Sequence, residues 1–407
     1  MSQELTTDIV IIGGGIAGLW LLNRLRQQGF DVLLLEKSAL GAGQTIASQG
    51  IIHGGLKYAL NGALSPASSA IAGMPEHWRR CLRGEGDLDL RTCKVLAPHY
   101  YMWSSGGYRS RLKSFLGSKA LRGRIDALDA SDYPDFLRGQ EISGTLYQLT
   151  DFVVDTPSLL KTLAAGHEQR LFQVNGYALQ LCLDAVGSVE QLSLQTPDGP
   201  LRLRAGRYIL CAGEGNAALL QQAGIDSPAM QTRPLHMLAL HTQHPHPVYL
   251  HCIGDSFGMT PQLTITSHPQ ADGSWVWYIG GEIAESGVER SPEEQIAEGK
   301  RQLRPLFPWL DIDAARWHSF RINRAEPKLP NLQRPDTAYH HSVDKLILTW
   351  PTKLTLSPQL GNSVLATLQE QGFHPATAQA QNPAAVQLRR HFPQPGIALP
   401  CWDELTS

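Results

Sequence analysis

A glycine turn set between two apolar runs constrains this chain more than any other feature. Asp8-Ile9-Val10-Ile11-Ile12 is a short run rich in β-branched residues and leads directly into Gly13-Gly14-Gly15-Ile16-Ala17-Gly18. The pattern predicts a helix from Leu19 to about Gln28, stopped by Gly29, and a second buried strand over Asp31 to Leu35 that Glu36 closes. In this order Gly13 permits the tight turn, Gly15 lets the backbone approach a pyrophosphate, and Gly18 lets helix and strand pack closely. The amides at the helix start, at Ile16 and Ala17, would then face the phosphates. Glu36 stands eighteen residues after Gly18, where an acid accepts hydrogen bonds from a ribose. That acid disfavours a 2′-phosphate and so NADP. The unit alone leaves NAD and FAD both open.

The chain has 407 residues, enough for two or three domains' worth of core. Its content of 42% hydrophobic and 18% charged residues is that of a soluble globular protein. A formal charge of -2 gives no reason to expect nucleic acid or an anionic membrane as partner. No apolar run of eighteen or more residues is uninterrupted, so no transmembrane segment is expected. The six cysteines include no CxxC pair, which argues against a zinc site, a redox dithiol or a disulfide framework. The cytoplasm is the default compartment, with attachment to a membrane surface left open.

After Glu36 comes a small-residue loop through Gln44-Thr45, and then Ala47-Ser48-Gln49-Gly50-Ile51-Ile52-His53-Gly54-Gly55-Leu56-Lys57-Tyr58. So much glycine around one histidine implies that backbone and something flat come close there. Residues 59 to 130 read as mainly helical, with a basic stretch from Arg109 to Arg124 that suits a solvated amphipathic helix. Thr156 reads as the N-cap of a helix with Pro157 at its first position. Strand-like runs follow over Leu171 to Leu183, Val189 to Thr196 and Leu201 to Leu203, then Tyr208 to Gly213. Residues 231 to 285 alternate apolar and polar residues, which predicts a second, mostly antiparallel sheet. Ser291-Pro292 begins a helix, the chain returns through Trp317 to Arg324 and Lys345 to Thr349, and Ser357-Pro358 begins another helix. The Pro- and Gln-rich tail after Gly372 is expected to wrap the surface.

Three features far apart in sequence suit one flavin. The N-terminal unit would hold the ADP half, the His53 loop would lie beside the isoalloxazine ring, and the helix starting near Ser357 would aim its positive end at the ring. No second GxGxxG unit is present to receive NAD(P)H, so reducing equivalents are expected from the organic substrate itself.

Gln44-Thr45 followed by Ser48 to Tyr58 resembles the "QT…NSGVIHAG.YY" run of L-2-hydroxyglutarate oxidases and the "KLIHGGLRYL" run of glycerol-3-phosphate dehydrogenases. Val154-Asp155-Thr156 is similar to the "VD…L" segment of the same superfamily, Ile209 to Gly213 to its second FAD-contacting strand, and Thr352-Lys353-Leu354-Thr355 to its "GGKLTTYR" loop. The chain therefore resembles the D-amino-acid-oxidase-like superfamily of FAD-dependent oxidoreductases, in the hydroxyglutarate and glycerophosphate branch.

The resemblance implies an α/β fold, with a Rossmann-like FAD-binding domain of glutathione-reductase type and a second domain built on an antiparallel sheet. It places the FAD-binding domain in 1–80, 145–225 and 318–372, the substrate domain in 81–144 and 226–317, and a tail in 373–407. It implies noncovalent FAD held by Gly13, Gly15, Ile16, Ala17, Gly18, Glu36, Lys37, Gln44, Thr45, Ser48, Gln49, Gly50, Ala212, Gly213, Thr352, Lys353, Leu354 and Thr355. It further implies oxidation of a small anionic 2-hydroxy acid, amino acid or related alcohol or amine, by hydride transfer to flavin N5 and reoxidation by oxygen or quinone. His53 is then the expected base, Arg321 and Arg324 the clamp for a carboxylate or phosphate, and Lys353 a cation beside the flavin's pyrimidine edge. Relatives carry paired glycines where this chain has Pro351-Thr352, and Arg or Tyr where it has Lys57, so no particular substrate carries over. Two other readings stand beside this one. Ile253 to Pro261 superficially resembles the ribityl motif of flavin hydroxylases, which consume NAD(P)H, and a flavoprotein can also bind FAD without catalysis.

Overall fold

The computed structural model describes residues 4–55, 71–104, 125–175, 178–242, 244–253, 261–329, 335, 337–376 and 382–404. Leu56-Lys57-Tyr58, the basic stretch from Arg109 to Arg124 and residues 254–260 of the ribityl-like motif lie outside these.

The opening unit forms as its pattern predicts. β1 (Glu4–Ile12) and β2 (Val32–Glu36) pair in parallel, joined by the helix Ile16–Gln27, which starts three residues earlier than expected. All five residues of β2 are buried, as suits a parallel strand covered on both faces. β12 (Leu201–Leu210) is one strand of ten residues where the sequence suggested two. It pairs with β1 along its length, with β11 (Val189–Leu194) near its start and with β19 (Leu346–Trp350) near its end. β10 (Leu179–Leu183) completes the small meander, and β9 (Leu171–Gln173) adds the edge beyond β2. The run expected from Leu171 to Leu183 is thus two strands in different places. The helix Ser357–Glu370 and the first helix pack together through Trp20, Leu360 and Val364 in one core.

Among the described residues each of the two large sheets has eight strands, and the second is mostly antiparallel. Its centre is β13 (Met230–Thr242), β14 (Leu250–Ile253), β15 (Leu263–Pro269) and β16 (Trp275–Gly280). β17 (Arg316–Pro327) pairs with β13 over twelve residue pairs at one edge. At the other, β5 (Tyr100–Ser104) pairs in parallel with β14 and leads to β7 (Thr145–Leu149) and β6 (Ile125–Ala127). Of the span 59–130, expected to be mainly helical, the described residues 71–104 and 125–130 hold the helix Met74–Leu82 and then short strands, so the expectation fails there, and the rest of the span lies outside the described residues. Residues 318–327 and 145–149 lie in this second sheet, and Cys81, Leu88, Leu90 and Cys93 pack in the first core, so the layers divide the chain differently from the expected segments at these places.

Two terminal signals resolve differently. Ser291 caps the helix Pro292–Leu303, as the Ser291-Pro292 pair predicts, and does so in a full capping box with Glu294. The helix Thr156–Ala164 is capped instead by Asp155, whose carboxylate accepts the Ser158 amide, and Thr156 is its first residue.

The tail does more than wrap the surface. Leu388 and Phe392 are buried in the first sheet's core, and Leu40 exchanges backbone hydrogen bonds with Gly396 and Ala398. Trp402 ends the strap, 3% exposed, on the second sheet beside Tyr278 and His268. The apolar content of the tail is what draws it in. Replacing Trp402 with Ala is expected to cost about 3–5 kcal/mol of stability, read as a lowered denaturation midpoint.

Candidate functional site

The glycine turn ends β1, and its geometry is set by contacts that leave no room for a side chain. Gly13 adopts φ +110°, and a Cβ there would stand 2.5 Å from the Cys211 carbonyl group at the end of β12. A Cβ on Gly18 would stand 1.9 Å from the Gly13 oxygen. At Gly15 the situation differs: a Cβ would meet only the Thr45 hydroxyl, at 3.1 Å. Gly13 and Gly18 are thus demanded by protein packing, whereas the space before Gly15 is open. Thr45 Oγ1 accepts the Ile16 amide at 3.0 Å, which ties the following loop to the helix start. Ile16 and Ala17 are buried there.

Glu36 is 7% exposed and lies against this turn. Its Oε2 accepts the Gly14 amide at 2.6 Å, and its Oε1 accepts the Ser38 amide at 3.0 Å. The carboxylate is therefore held on the turn itself, beside the opening. Lys37 is exposed just beyond it. Ala212 and Gly213 follow β12 on the other side, where Asn216 Oδ1 accepts the Ala212 amide and Trp350 Nε1 donates to the Gly213 carbonyl. Burial pushes the Cys211 thiol up to about 12, so it stays protonated.

The loop from Gln44 to Gly50 joins the two sheets. Gln44 Oε1 accepts the Ala325 amide of β17, and Gln49 Nε2 donates to the carbonyls of Thr264 and Tyr278. The fully buried Tyr278 returns a hydrogen bond from its hydroxyl to the Ala47 carbonyl, at 2.8 Å. Ser48 faces the Thr156 hydroxyl at 3.5 Å, and Gly50, at φ +69°, passes so close to the Val154 carbonyl that a Cβ would stand 2.2 Å from it.

His53 follows, half-buried, just past the short pair of β3 (Ile51–Ile52) with β8 (Phe152–Val154). The Thr355 hydroxyl donates to its carbonyl at 3.2 Å, and the next amide, of Gly54, donates to Asp151 Oδ1 at 2.8 Å. The structure thus brings the His53 and Lys353–Thr355 stretches, three hundred residues apart, into direct contact. Lys353 is 6% exposed, and Leu354 to Leu356 form a 3-10 turn into the helix Ser357–Glu370. Thr352 holds φ +61°, a left-handed conformation unusual for a β-branched residue, in the position where the resembling families carry glycine. Its hydroxyl donates to the Thr337 carbonyl.

The two arginines fare differently. Arg321 is exposed and donates to the backbone carbonyls of Val288 and Arg290. Arg324 projects on the opposite face of β17, with Phe320 and Ile322, and pairs with Glu285 at 3.3 Å. Sequence reasoning missed Asp151 and Tyr278 altogether. The only signal for Asp151 was an acid directly before a fully apolar strand.

A Rossmann-like half with an open glycine turn and an adjoining acid, bonded through the Gln44–Gly50 loop and the C-terminal strap to an antiparallel sheet, suits a dinucleotide-dependent oxidoreductase of two layers. The chain belongs to the DAO family of FAD dependent oxidoreductases, which it matches over residues 8–348. It is 44% identical over 412 residues to the probable FAD-dependent oxidoreductase PA4991 of Pseudomonas aeruginosa, covering 99% of each chain. The crystal structure of PA4991 superposes with a TM-score of 0.83 over 100% of both chains, at 39% identity. The reduced, FAD-bound L-alpha-glycerophosphate oxidase of Mycoplasma pneumoniae shares the fold with a TM-score of 0.62 over 93% of this chain and 98% of that one, at 17% identity. The protein is an FAD-dependent oxidoreductase, and the open turn beside Glu36 fits the ADP end of that cofactor. Among the described residues no helix is long and apolar enough to cross a membrane.

Proposed function

We propose that this enzyme oxidises a small anionic 2-hydroxy acid, amino acid or related alcohol or amine, and passes the electrons to oxygen or a quinone. The observation that carries the reading is the contact of the His53 peptide with the Lys353–Thr355 turn, beside the loop that anchors to the second sheet. Glycine oxidase of Geobacillus kaustophilus, which shares the fold at a TM-score of 0.62 and 15% identity, and the glycerophosphate oxidase illustrate the range of substrates this fold serves.

FAD, when bound, supplies the two-electron acceptor. Gly13, Gly15, Ile16, Ala17, Gly18, Glu36 and Lys37 would hold its ADP end, and Gln44, Thr45, Ser48, Gln49, Gly50, Ala212, Gly213, Thr352, Lys353, Leu354 and Thr355 the remainder, without a covalent bond. The His53 imidazole takes the proton from the substrate hydroxyl or ammonium, a task that suits a histidine side chain. Lys353 and the N-terminus of the Ser357–Glu370 helix favour negative charge at the turn between them. Of the two candidate clamps, Arg324 is the better supported, because it shares the sheet face of Phe320 and Tyr278 whose hydroxyl reaches Ala47. Arg321 spends its donors on the Val288 and Arg290 carbonyls. The first sheet and its helices would be the cofactor half, and the second sheet the substrate half.

The test is an anaerobic panel of 2-hydroxy acids, amino acids and glycerol 3-phosphate against the FAD-loaded protein. At least one class is expected to bleach the oxidised-flavin band, and admission of air or a quinone then identifies the acceptor. Failure of every class sinks this reading.

A further inference from the structure

We propose that Asp151 and Thr355 are positioning residues that hold the single peptide between His53 and Gly54 from both sides and so fix the setting of the His53 imidazole. The proposal rests on the reading of His53 as the proton-accepting group.

A peptide unit has one acceptor and one donor. In this unit both are taken by side chains from remote parts of the chain: the carbonyl by Thr355 Oγ1 at 3.2 Å, and the amide by Asp151 Oδ1 at 2.8 Å. The need is local. Gly54 and Gly55, the latter at φ +70°, impose little steric restraint on the peptide, and the rotamers open to a side chain depend on its own backbone angles. Without the two bonds, rotation of this peptide would change ψ of His53 and redistribute its imidazole.

Both holding residues are themselves fixed. The antiparallel register pairs Ile51 with Val153 and Ile52 with Phe152, so its continuation sets His53 opposite Asp151. Asp151 is 5% exposed, and a buried carboxylate is costly unless bonded. Arg79 brings a cation beside it, donating to the neighbouring Thr150 carbonyl at 2.8 Å and lying over the Phe152 ring at 4.6 Å. Thr355 is fully buried, and its own carbonyl accepts Trp78 Nε1 at 3.0 Å, which leaves the hydroxyl aimed at His53. An acid and a hydroxyl brought to one peptide from 97 and 302 residues away make a clasp on it.

The test uses FAD-saturated enzyme and the rate of anaerobic flavin reduction by the substrate found in the panel. Asp151→Ala and Thr355→Val are each expected to slow reduction roughly ten- to a hundredfold, the scale on which a small misplacement of a reacting group acts. Asp151→Asn keeps an oxygen acceptor and Thr355→Ser keeps the hydroxyl, so each should recover most of the loss. Because both residues act on one peptide, the Asp151→Ala/Thr355→Val double variant should fall well short of the product of the single effects. A merely structural role would lower the melting temperature and leave the reduction rate, measured well below it, unchanged. If Asp151→Ala does not fold, Thr355→Val, nearly the same shape, decides alone. Wild-type rates in the folded variants while His53→Ala is slow would overturn the clasp and leave the base assignment standing. A fast His53→Ala would overturn both.

Discussion

Replacing His53 with Ala is expected to slow reduction of the flavin by the organic substrate by roughly 10²- to 10⁴-fold, the usual contribution of a positioned base, with FAD occupancy unchanged. The substitution spares two of the bonds that hold this position, because the backbone makes them. Thr355 donates to the carbonyl of residue 53 and Asp151 accepts the amide of residue 54, and an alanine keeps both. The loop should therefore stay in place while the imidazole is lost. Stopped-flow reduction without oxygen, with FAD in excess, separates this step from cofactor loss and reoxidation. An undiminished rate would make His53 scaffold and nothing more.

The second large effect is expected at the opposite end of the cofactor. Gly13→Ala should abolish FAD retention and lower stability by several kcal/mol. The left-handed φ of +110° costs an ordinary residue about 1–3 kcal/mol. The clash is added to that, since the Cβ would meet backbone atoms of Cys211 at 2.5 Å, and forcing groups apart in a packed interior costs about 1–3 kcal/mol more. Neither neighbour is a flexible side chain that could turn aside. Gly43→Ala is the control: it too has positive φ, +81°, but its Cβ would meet nothing within 4 Å, so only the strain applies. The flavin-to-protein absorbance ratio of the purified variants and their melting curves measure the difference. A Gly13→Ala protein with wild-type FAD content would remove the turn from the cofactor site.

These expectations show which parts of the molecule are written locally. The glycine turn, the strand before it and Glu36 are legible because each depends on neighbours within about forty residues, and the fingerprint spacing encodes them directly. The cap at Ser291 is legible for the same reason. The cap at residue 155 was missed because Asp and Thr are both good caps, and only the fold shows which oxygen reaches the Ser158 amide. Arg321 and Arg324 were expected to clamp together, but residues three apart in a strand point to opposite faces, and β17 is that strand. The burial of Trp402 had no local signal at all, since its partners, Tyr278 and His268, are more than a hundred residues away. Asp151 was illegible for a related reason: its partner is a backbone amide, which leaves no trace in the side-chain pattern.

Thr352 joins the two kinds of information. The sequence showed a departure from glycine, and the structure shows the departure paid for in a left-handed β-branched residue, buried and bonded to the Thr337 carbonyl. Such strain, about 1–3 kcal/mol, persists where the surroundings over-determine the conformation, as next to Lys353 and the turn that holds His53.

In the proposed reaction electrons reach FAD from a small hydroxy or amino compound at the His53 loop and not from a nicotinamide cofactor. It is tested most directly by mixing the FAD-loaded protein anaerobically with the substrate panel in one syringe and with NADH or NADPH in the other arm, and following the oxidised-flavin band. The account predicts rapid bleaching by a member of the panel and none on the same timescale by either nicotinamide. Rapid bleaching by NADH or NADPH, with the whole panel inert, would contradict it.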